Sequence, residues 1–262
     1  MSSGVVVGRR SAGGADISLG LSEPSHILLT GATRSGKSSL LYSLLMRLSS
    51  LSSVIVAGVD PTGILFNALF NALGGRDMRA LTLRQPERCI EVLDDLVQLM
   101  DSRIQTLLDQ RKDKINEFSP SCPLVLVVLE EYPALLAGLD AYDKATGSKP
   151  GHRLADRARS DVQRLAMESA KAGFRLIVVC QRGDASLLPA GTRDQLTTRI
   201  AFRQNRDGLR MNFEDLPAEL VERAAAAVPG RGLLIQPGMT EPVEFAADFA
   251  TYEQFVARFA LA

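Results

Sequence analysis

Residues 31 to 38 read Gly-Ala-Thr-Arg-Ser-Gly-Lys-Ser, two glycines flanking four residues with a lysine and a hydroxyl behind the second. The pattern suits a nucleoside triphosphate. Gly31 and Gly36 open backbone conformations closed to other residues, so N–H groups along Ala32, Thr33, Arg34 and Ser35 can converge on phosphate oxygens at a helix N-terminus, where the helix dipole favours an anion. Lys37 is expected to reach the β- and γ-phosphates and Ser38 to place its hydroxyl on Mg²⁺, with Ser39 also counted among the nucleotide contacts. ATP and Mg²⁺ are the cofactors implied.

Glu130 and Glu131 follow six consecutive aliphatics, Leu124 to Leu129. Two adjacent carboxylates at the carboxyl end of a buried strand sit where ligands lie in open α/β sheets, and they call for a cation. Glu130 is expected in the Mg²⁺ shell and Glu131 as the group that orients or deprotonates the attacking water. Gln181, with Arg182 after it, ends another apolar run, and a neutral amide there can sense the γ-phosphate or the water.

Elements must hold these residues in place. Apolar runs predict core strands at His26–Thr30, Val54–Val59, Ala80–Leu83, Leu124–Leu129, Leu176–Cys180 and Thr198–Phe202. Helices are expected at Ser38–Leu48, Pro86 to about Phe118, and Leu154 to Ala172, with a loop over Asp143–Gly151. In the second helix Ile90, Leu93, Leu96, Val97, Met100, Ile104, Leu107 and Leu108 recur at helical spacing. Strands alternating with helices predict an α/β fold with a mainly parallel sheet flanked by helices. A small β element is expected at Val5–Leu21. The tail is expected to hold a helix at Ala218–Ala227, strands at Gly232–Gln236 and Val243–Ala246, and a helix at Tyr252–Ala260.

The 262 residues, 46% hydrophobic, suffice for one large domain. No apolar run reaches the roughly 20 residues of a membrane-spanning helix, and the start lacks a secretory stretch, so the expectation is a soluble cytoplasmic protein. Cys89, Cys122 and Cys180 lie far apart in sequence and are expected to be reduced, buried thiols. Net charge is zero, yet residues 144 to 210 carry 14 Lys and Arg against 6 Asp and Glu. Such an excess suits either a solvated helix face or a surface that meets a polyanion.

From about residue 5 to its end the chain resembles the motor domain of the FtsK/SpoIIIE family of DNA translocases, related to HerA and RecA-like ATPases. The resemblance rests on PSHILLTGATRSGKSSLL, VDPTG, LVQLMDSRI, LVLVVLEEYPALL, AGFRLIVVCQR, TTRIAFR and PGRGLLI, in that order. It implies a single motor domain with a RecA-like P-loop core at 25–210, an N-terminal β element at 1–24 and a C-terminal appendage at 211–262. It also implies a ring, expected to be hexameric, that moves double-stranded DNA by ATP hydrolysis between subunits. Arg199 and Arg203 then become candidates for the charge that one subunit offers to its neighbour's nucleotide. Because they stand four apart on one strand, they are expected to share a face.

Two positions depart from the family pattern. The acidic pair is usually Asp-Glu and here is Glu130-Glu131; a lysine commonly follows the Asp-Pro of the second strand, where Thr62 stands. The chain is expected to be a bare motor of a conjugative plasmid or mobile element, recruited to the membrane by a partner, or a piece of something longer. Lys144, Lys149, Arg153 and Arg157 are expected to contact DNA phosphates without reading bases. Two other functions stay open: a ring ATPase acting on protein substrates in a type VII-like secretion system, and a nucleotide-binding regulator that hydrolyses poorly.

Overall fold

The structure, a computed structural model, describes residues 4–20, 25–48, 50–69, 77–181, 188 and 190–260. In chain order, β1 (Gly4–Arg10) and β2 (Asp16–Gly20) are followed by β3 (Ile27–Thr30) and α1 (Lys37–Leu48). Next come β4 (Val54–Val59), α2 (Ile64–Ala68), β5 (Arg79–Ala80), α3 (Pro86–Asp109) and β6 (Leu124–Leu129). Then follow α4 (Tyr132–Thr146), α5 (Leu154–Glu168), β7 (Phe174–Cys180), α6 (Ala190–Gln195) and β8 (Thr198–Phe202). The chain closes with α7 (Arg206–Asn212), α8 (Ala218–Ala225), β9 (Arg231–Ile235), β10 (Val243–Ala247) and α9 (Tyr252–Ala260).

The chain forms two compact units, one of residues up to 51 and from 179 onward, the other of residues 52–178. In the first, strands run in the order β2-β1-β10-β9-β8-β3, antiparallel from β2 through β8, with β3 and β8 parallel. The N- and C-terminal β elements are therefore neighbours, Gly8 opposite Ala247 and Arg10 opposite Phe245. In the second unit β7-β6-β4-β5 are all parallel. Parallel strands joined by helices are covered on both faces, which is why all six residues of β6 are buried.

Several boundaries differ from the expectations, each for a local reason. Helix α3 stops at Asp109, well short of Phe118, because Arg111 turns left-handed with φ 54°. Arg111 N donates to Leu108 O (3.1 Å) and Lys112 N to Leu107 O (2.9 Å), the hydrogen-bond pair of a helix-terminating motif. Within the last turn Leu107 is buried and Leu108 exposed, so the apolar stripe ends between them. Helix α4 reaches Thr146, through residues expected to be loop, because no residue before Gly147 (φ 67°) takes the left-handed turn that ends it. Helix α5 ends at Glu168 and β7 starts at Phe174, with Gly173 (φ 80°) making the turn between them. The third strand is only Arg79–Ala80; beyond it, Leu83 N bonds Pro61 O (3.3 Å) in place of a strand partner.

Helix α3 packs on α5 and α4 on α5 within the second unit. The ion pairs Arg157–Asp94 and Arg164–Asp101 keep a constant offset along α3 and α5, so these helices run parallel. Asp140 pairs with Arg159, and the Asp143 carboxylate accepts from Leu154 N (2.9 Å) and Ala155 N (3.0 Å), so α4 and α5 run antiparallel. Asp143, buried, thus caps the start of α5 from the last turn of α4.

Candidate nucleotide-binding site

The glycine loop leaves β3 and enters α1 as the sequence pattern requires. Gly31 (φ 150°), Arg34 (φ 60°) and Gly36 (φ 119°) all have positive φ, and this alternation curls the backbone into a concave nest. Lys37 is buried, and its Nζ donates to Gly31 O (2.6 Å) and Ala32 O (3.4 Å), so the ammonium lies across the mouth of the loop. Ser35 is buried with no hydrogen-bond partner for its Oγ among the described residues, while Ser38, the expected Mg²⁺ ligand, is exposed. Ser39, also expected among the nucleotide contacts, uses its hydroxyl within the chain. Its hydroxyl donates to Ala250 O (2.6 Å) and accepts from Ala250 N (3.3 Å).

Neighbouring elements brace this loop. Thr30 Oγ1 accepts from Gln204 Nε2 and Asn212 Nδ2, both at 3.0 Å, and Ala32 N donates to Arg203 O (2.8 Å). On the other side Gly230 N donates to Ser35 O (2.8 Å). A cavity of about 390 Å³ opens beside the loop, lined by loop residues, by Tyr42, by Pro229 and Gly230, and by the segment from Ala247 to Tyr252. Volume and position suit a nucleotide: the curled backbone and Lys37 offer positive partial charge at one end, and aromatic rings line the other. The residues present fit ATP, and the exposed Ser38 hydroxyl leaves a hard oxygen ligand available for Mg²⁺.

In the second unit Glu130 N donates to Val59 O (3.0 Å), which holds the residue after β6 against the end of β4. Glu131 then takes φ 39°, ψ 54°, left-handed for a residue that has a Cβ, and begins α4. A residue with a Cβ is uncommon in this conformation, and the strain marks the position as a candidate functional one. Both glutamates are half-buried. Thr62, which stands in place of the family's lysine, donates N–H (2.9 Å) and Oγ1 (2.8 Å) to Asp60 Oδ1, while Leu65 N (2.8 Å) binds Oδ2. Asp60 is fully buried, and this local turn supplies its hydrogen bonds.

Gln181 lies exposed in a bend directly after β7; Arg182 lies outside the described residues. Arg199 and Arg203 part company. Arg199, on β8, donates to Leu196 O (3.3 Å) and Asn212 O (2.9 Å) of its own chain. Arg203 lies beyond the end of β8, so strand alternation does not govern its side chain, and its carbonyl braces Ala32. Lys144, Lys149, Arg153 and Arg157 are exposed, at the end of α4, in the following turn and at the start of α5. Arg157 pairs with Asp94. The Asp161 carboxyl is pushed up to about 6, first by burial and then by the nearby Asp94 charge. Among the described residues no cluster of His, Cys, Asp and Glu could hold a metal by itself, and no helix is long and apolar enough to cross a membrane. All three cysteines are free; Cys89 and Cys180 are buried as expected, whereas Cys122 is only half-buried.

Neither the cavity wall from Ala247 to Tyr252 nor the Pro229–Gly230 turn is among the nucleotide contacts expected from sequence. The segment PGRGLLI was a visible signal, but nothing in spacing alone joins it to a loop nearly two hundred residues earlier.

The model of the FtsK/SpoIIIE family matches residues 7–233. DNA translocase FtsK of Mycobacterium leprae (strain TN) is 24% identical over 254 residues, covering 92% of this chain and 29% of that protein. The DNA translocase FtsK of Campylobacter jejuni (strain 81-176) is 24% identical over 263 residues, covering 94% and 25%. The chain thus spans less than a third of the length of these relatives. Among solved structures, the pCW3 conjugation coupling protein TcpA, in monomer form with ATPγS, has a TM-score of 0.75 at 21% identity, covering 100% of this chain and 71% of that one. EssC ATPases 2 and 3 from Geobacillus thermodenitrificans have a TM-score of 0.74 at 13% identity, covering 100% and 50%. These likenesses establish a P-loop ATPase fold.

Proposed function

The chain belongs to the FtsK/SpoIIIE family, and from that premise we propose that it is an ATP-driven DNA translocase motor working as a ring, in conjugative or chromosomal DNA transfer. The observation that carries the reading is the formed phosphate loop, with the buried Lys37 ammonium across its mouth and a nucleotide-sized cavity beside it.

In this reading Lys37 binds the β- and γ-phosphates, and the N–H groups of residues 31–39 orient them. Mg²⁺, held by Ser38 and Glu130, would neutralise phosphate charge during the reaction. Glu131 takes a proton from the attacking water onto its carboxylate, and the Gln181 amide orients that water. Arg203 or Arg199 offers its guanidinium to the nucleotide of a neighbouring subunit in a hexameric ring. Lys144, Lys149, Arg153 and Arg157 contact the phosphates of duplex DNA, in keeping with the basic stretch they occupy. Arg157 already has a carboxylate partner, so it contributes least among the four.

The test measures ATP turnover alone, with duplex DNA and with peptide, across salt concentrations. Stimulation by DNA is expected. Each phosphate contact removed by alanine should flatten the log K against log salt line by roughly 0.9. Stimulation by peptide alone would favour the secretion reading, and absence of turnover a nucleotide-binding regulator. An unchanged slope in the quadruple variant would put the DNA path elsewhere.

A further inference from the structure

The cavity beside the glycine loop has two chemically different ends, and the nucleotide reading so far uses only one. Phe249 lines the other end and is 75% exposed, an unusual place for a phenyl ring with no core to join. It is held there by several bonds. Ala247 N donates to Gly230 O (2.8 Å), Asp248 N to Val7 O (2.9 Å), and Ser39 bonds both backbone groups of Ala250. Asp248 also pairs with Arg47 of α1. Tyr42 completes the wall from α1; its ring stacks on Phe255 at 4.8 Å between centroids and meets Tyr252 at 5.7 Å. The aromatic end is thus pinned to the same helix whose N-terminus faces the phosphates. Ser38, Ser39 and Tyr42 stand at helical spacing along one side of α1, leading from the loop to the aromatic wall.

We infer that the segment from Ala247 to Tyr252 is the nucleoside half of the site, with the Phe249 ring stacking on the base of the nucleotide whose phosphates the glycine loop holds. The inference rests on the nucleotide reading and goes beyond it by giving the β10–α9 connection a binding role. Ser39 is then a positioning residue: its hydroxyl ties the base-binding segment to the phosphate-binding helix. Recognition by a stacked ring tolerates different bases, so purine nucleotides should compete with one another within a small factor, and pyrimidine nucleotides should bind more weakly.

The test compares Mg²⁺-ATP and inorganic tripolyphosphate by equilibrium binding to the whole chain, in the wild type, Phe249→Ala and Phe249→Trp. Removing a ring that stacks on a base costs about 1–3 kcal/mol elsewhere, so ATP affinity should fall about 5- to 150-fold in Phe249→Ala. Tripolyphosphate affinity should be unchanged, and Phe249→Trp should retain ATP binding. Because Phe249 is exposed, neither substitution disturbs a core. Equal ATP affinity in the wild type and Phe249→Ala overturns the inference while leaving the phosphate loop intact. Equal losses for ATP and tripolyphosphate also overturn it, since the ring would then act on the loop and not on the base. A wild type that binds neither ligand defeats the nucleotide reading itself and this inference with it.

Discussion

A Cβ on Gly36 would come within 2.9 Å of the Gly230 nitrogen and 3.0 Å of the Gly230 Cα. The phosphate loop and the turn before β9 therefore touch backbone to backbone, and the glycine at 36 is required by packing as well as by its φ of 119°. Gly230 also has positive φ, 83°, but a Cβ there would meet nothing within 4 Å among the described residues.

The two glycines should consequently respond unequally to alanine. Gly36→Ala combines backbone strain with a clash and should lower stability by about 1–3 kcal/mol even without nucleotide. Gly230→Ala carries only left-handed strain, about 1–2 kcal/mol, and should leave nucleotide affinity closer to that of the wild type. Denaturant unfolding of the nucleotide-free proteins, followed by ATP binding, checks both. Equal behaviour of the two variants would mean that the contact can relax.

Glu131→Gln should trap ATP, because the amide keeps the size of the carboxylate and loses the ability to take a proton. Glu130→Gln should instead weaken Mg²⁺-dependent binding, since Mg²⁺ prefers anionic oxygen. Binding of a slowly hydrolysed ATP analogue and single-turnover hydrolysis separate the two. If Glu131→Gln hydrolyses normally and Glu130→Gln binds normally but does not turn over, the roles are reversed.

Arg199 and Arg203 should now give different phenotypes. Arg199→Ala removes the donors to Leu196 O and Asn212 O and should cost about 1–3 kcal/mol of stability. Arg203→Ala should fold normally and lower turnover by about 10³ to 10⁵, the effect of an arginine finger. Mixing Arg203→Ala with Glu131→Gln should restore part of the activity if Arg203 acts on a neighbour's nucleotide. No recovery at any mixing ratio argues against action between subunits.

Asp161 predicts a pH dependence of stability. Its carboxyl is raised from 3.8 to about 6, first by burial and then by Asp94. A carboxyl raised in the folded state binds more protons there than in the unfolded chain, so it detracts from stability increasingly as pH rises from its unfolded value through about 6. Asp161→Asn should therefore raise Tm at pH 7 to 8 and have little effect near pH 4. A gain of the same size at both pH values would show that packing, and not ionisation, is responsible.

Local sequence determined the parts whose physics is local. The residues from Gly31 to Ser38 carry their own backbone requirement, and six aliphatics from Leu124 to Leu129 are too apolar to lie anywhere but inside, so loop and strand were legible from residue type and spacing. The α4 helix was obscured because DKATGSKPG has the composition of a turn, whereas the helix ends only where Gly147 can go left-handed. Tertiary structure alone decided what surrounds the loop. Arg199 meeting Asn212, Gly36 meeting Gly230 and Ser39 meeting Ala250 join residues 13 to 211 positions apart. Periodicity reports which face of an element is apolar, but not which distant backbone will satisfy its hydrogen bonds; that follows from the strand order, which puts β10 and β9 between β1 and β8. The aromatic end of the cavity exists for the same reason, since Tyr42 and Phe249 come to line one cavity only when α9 closes against α1.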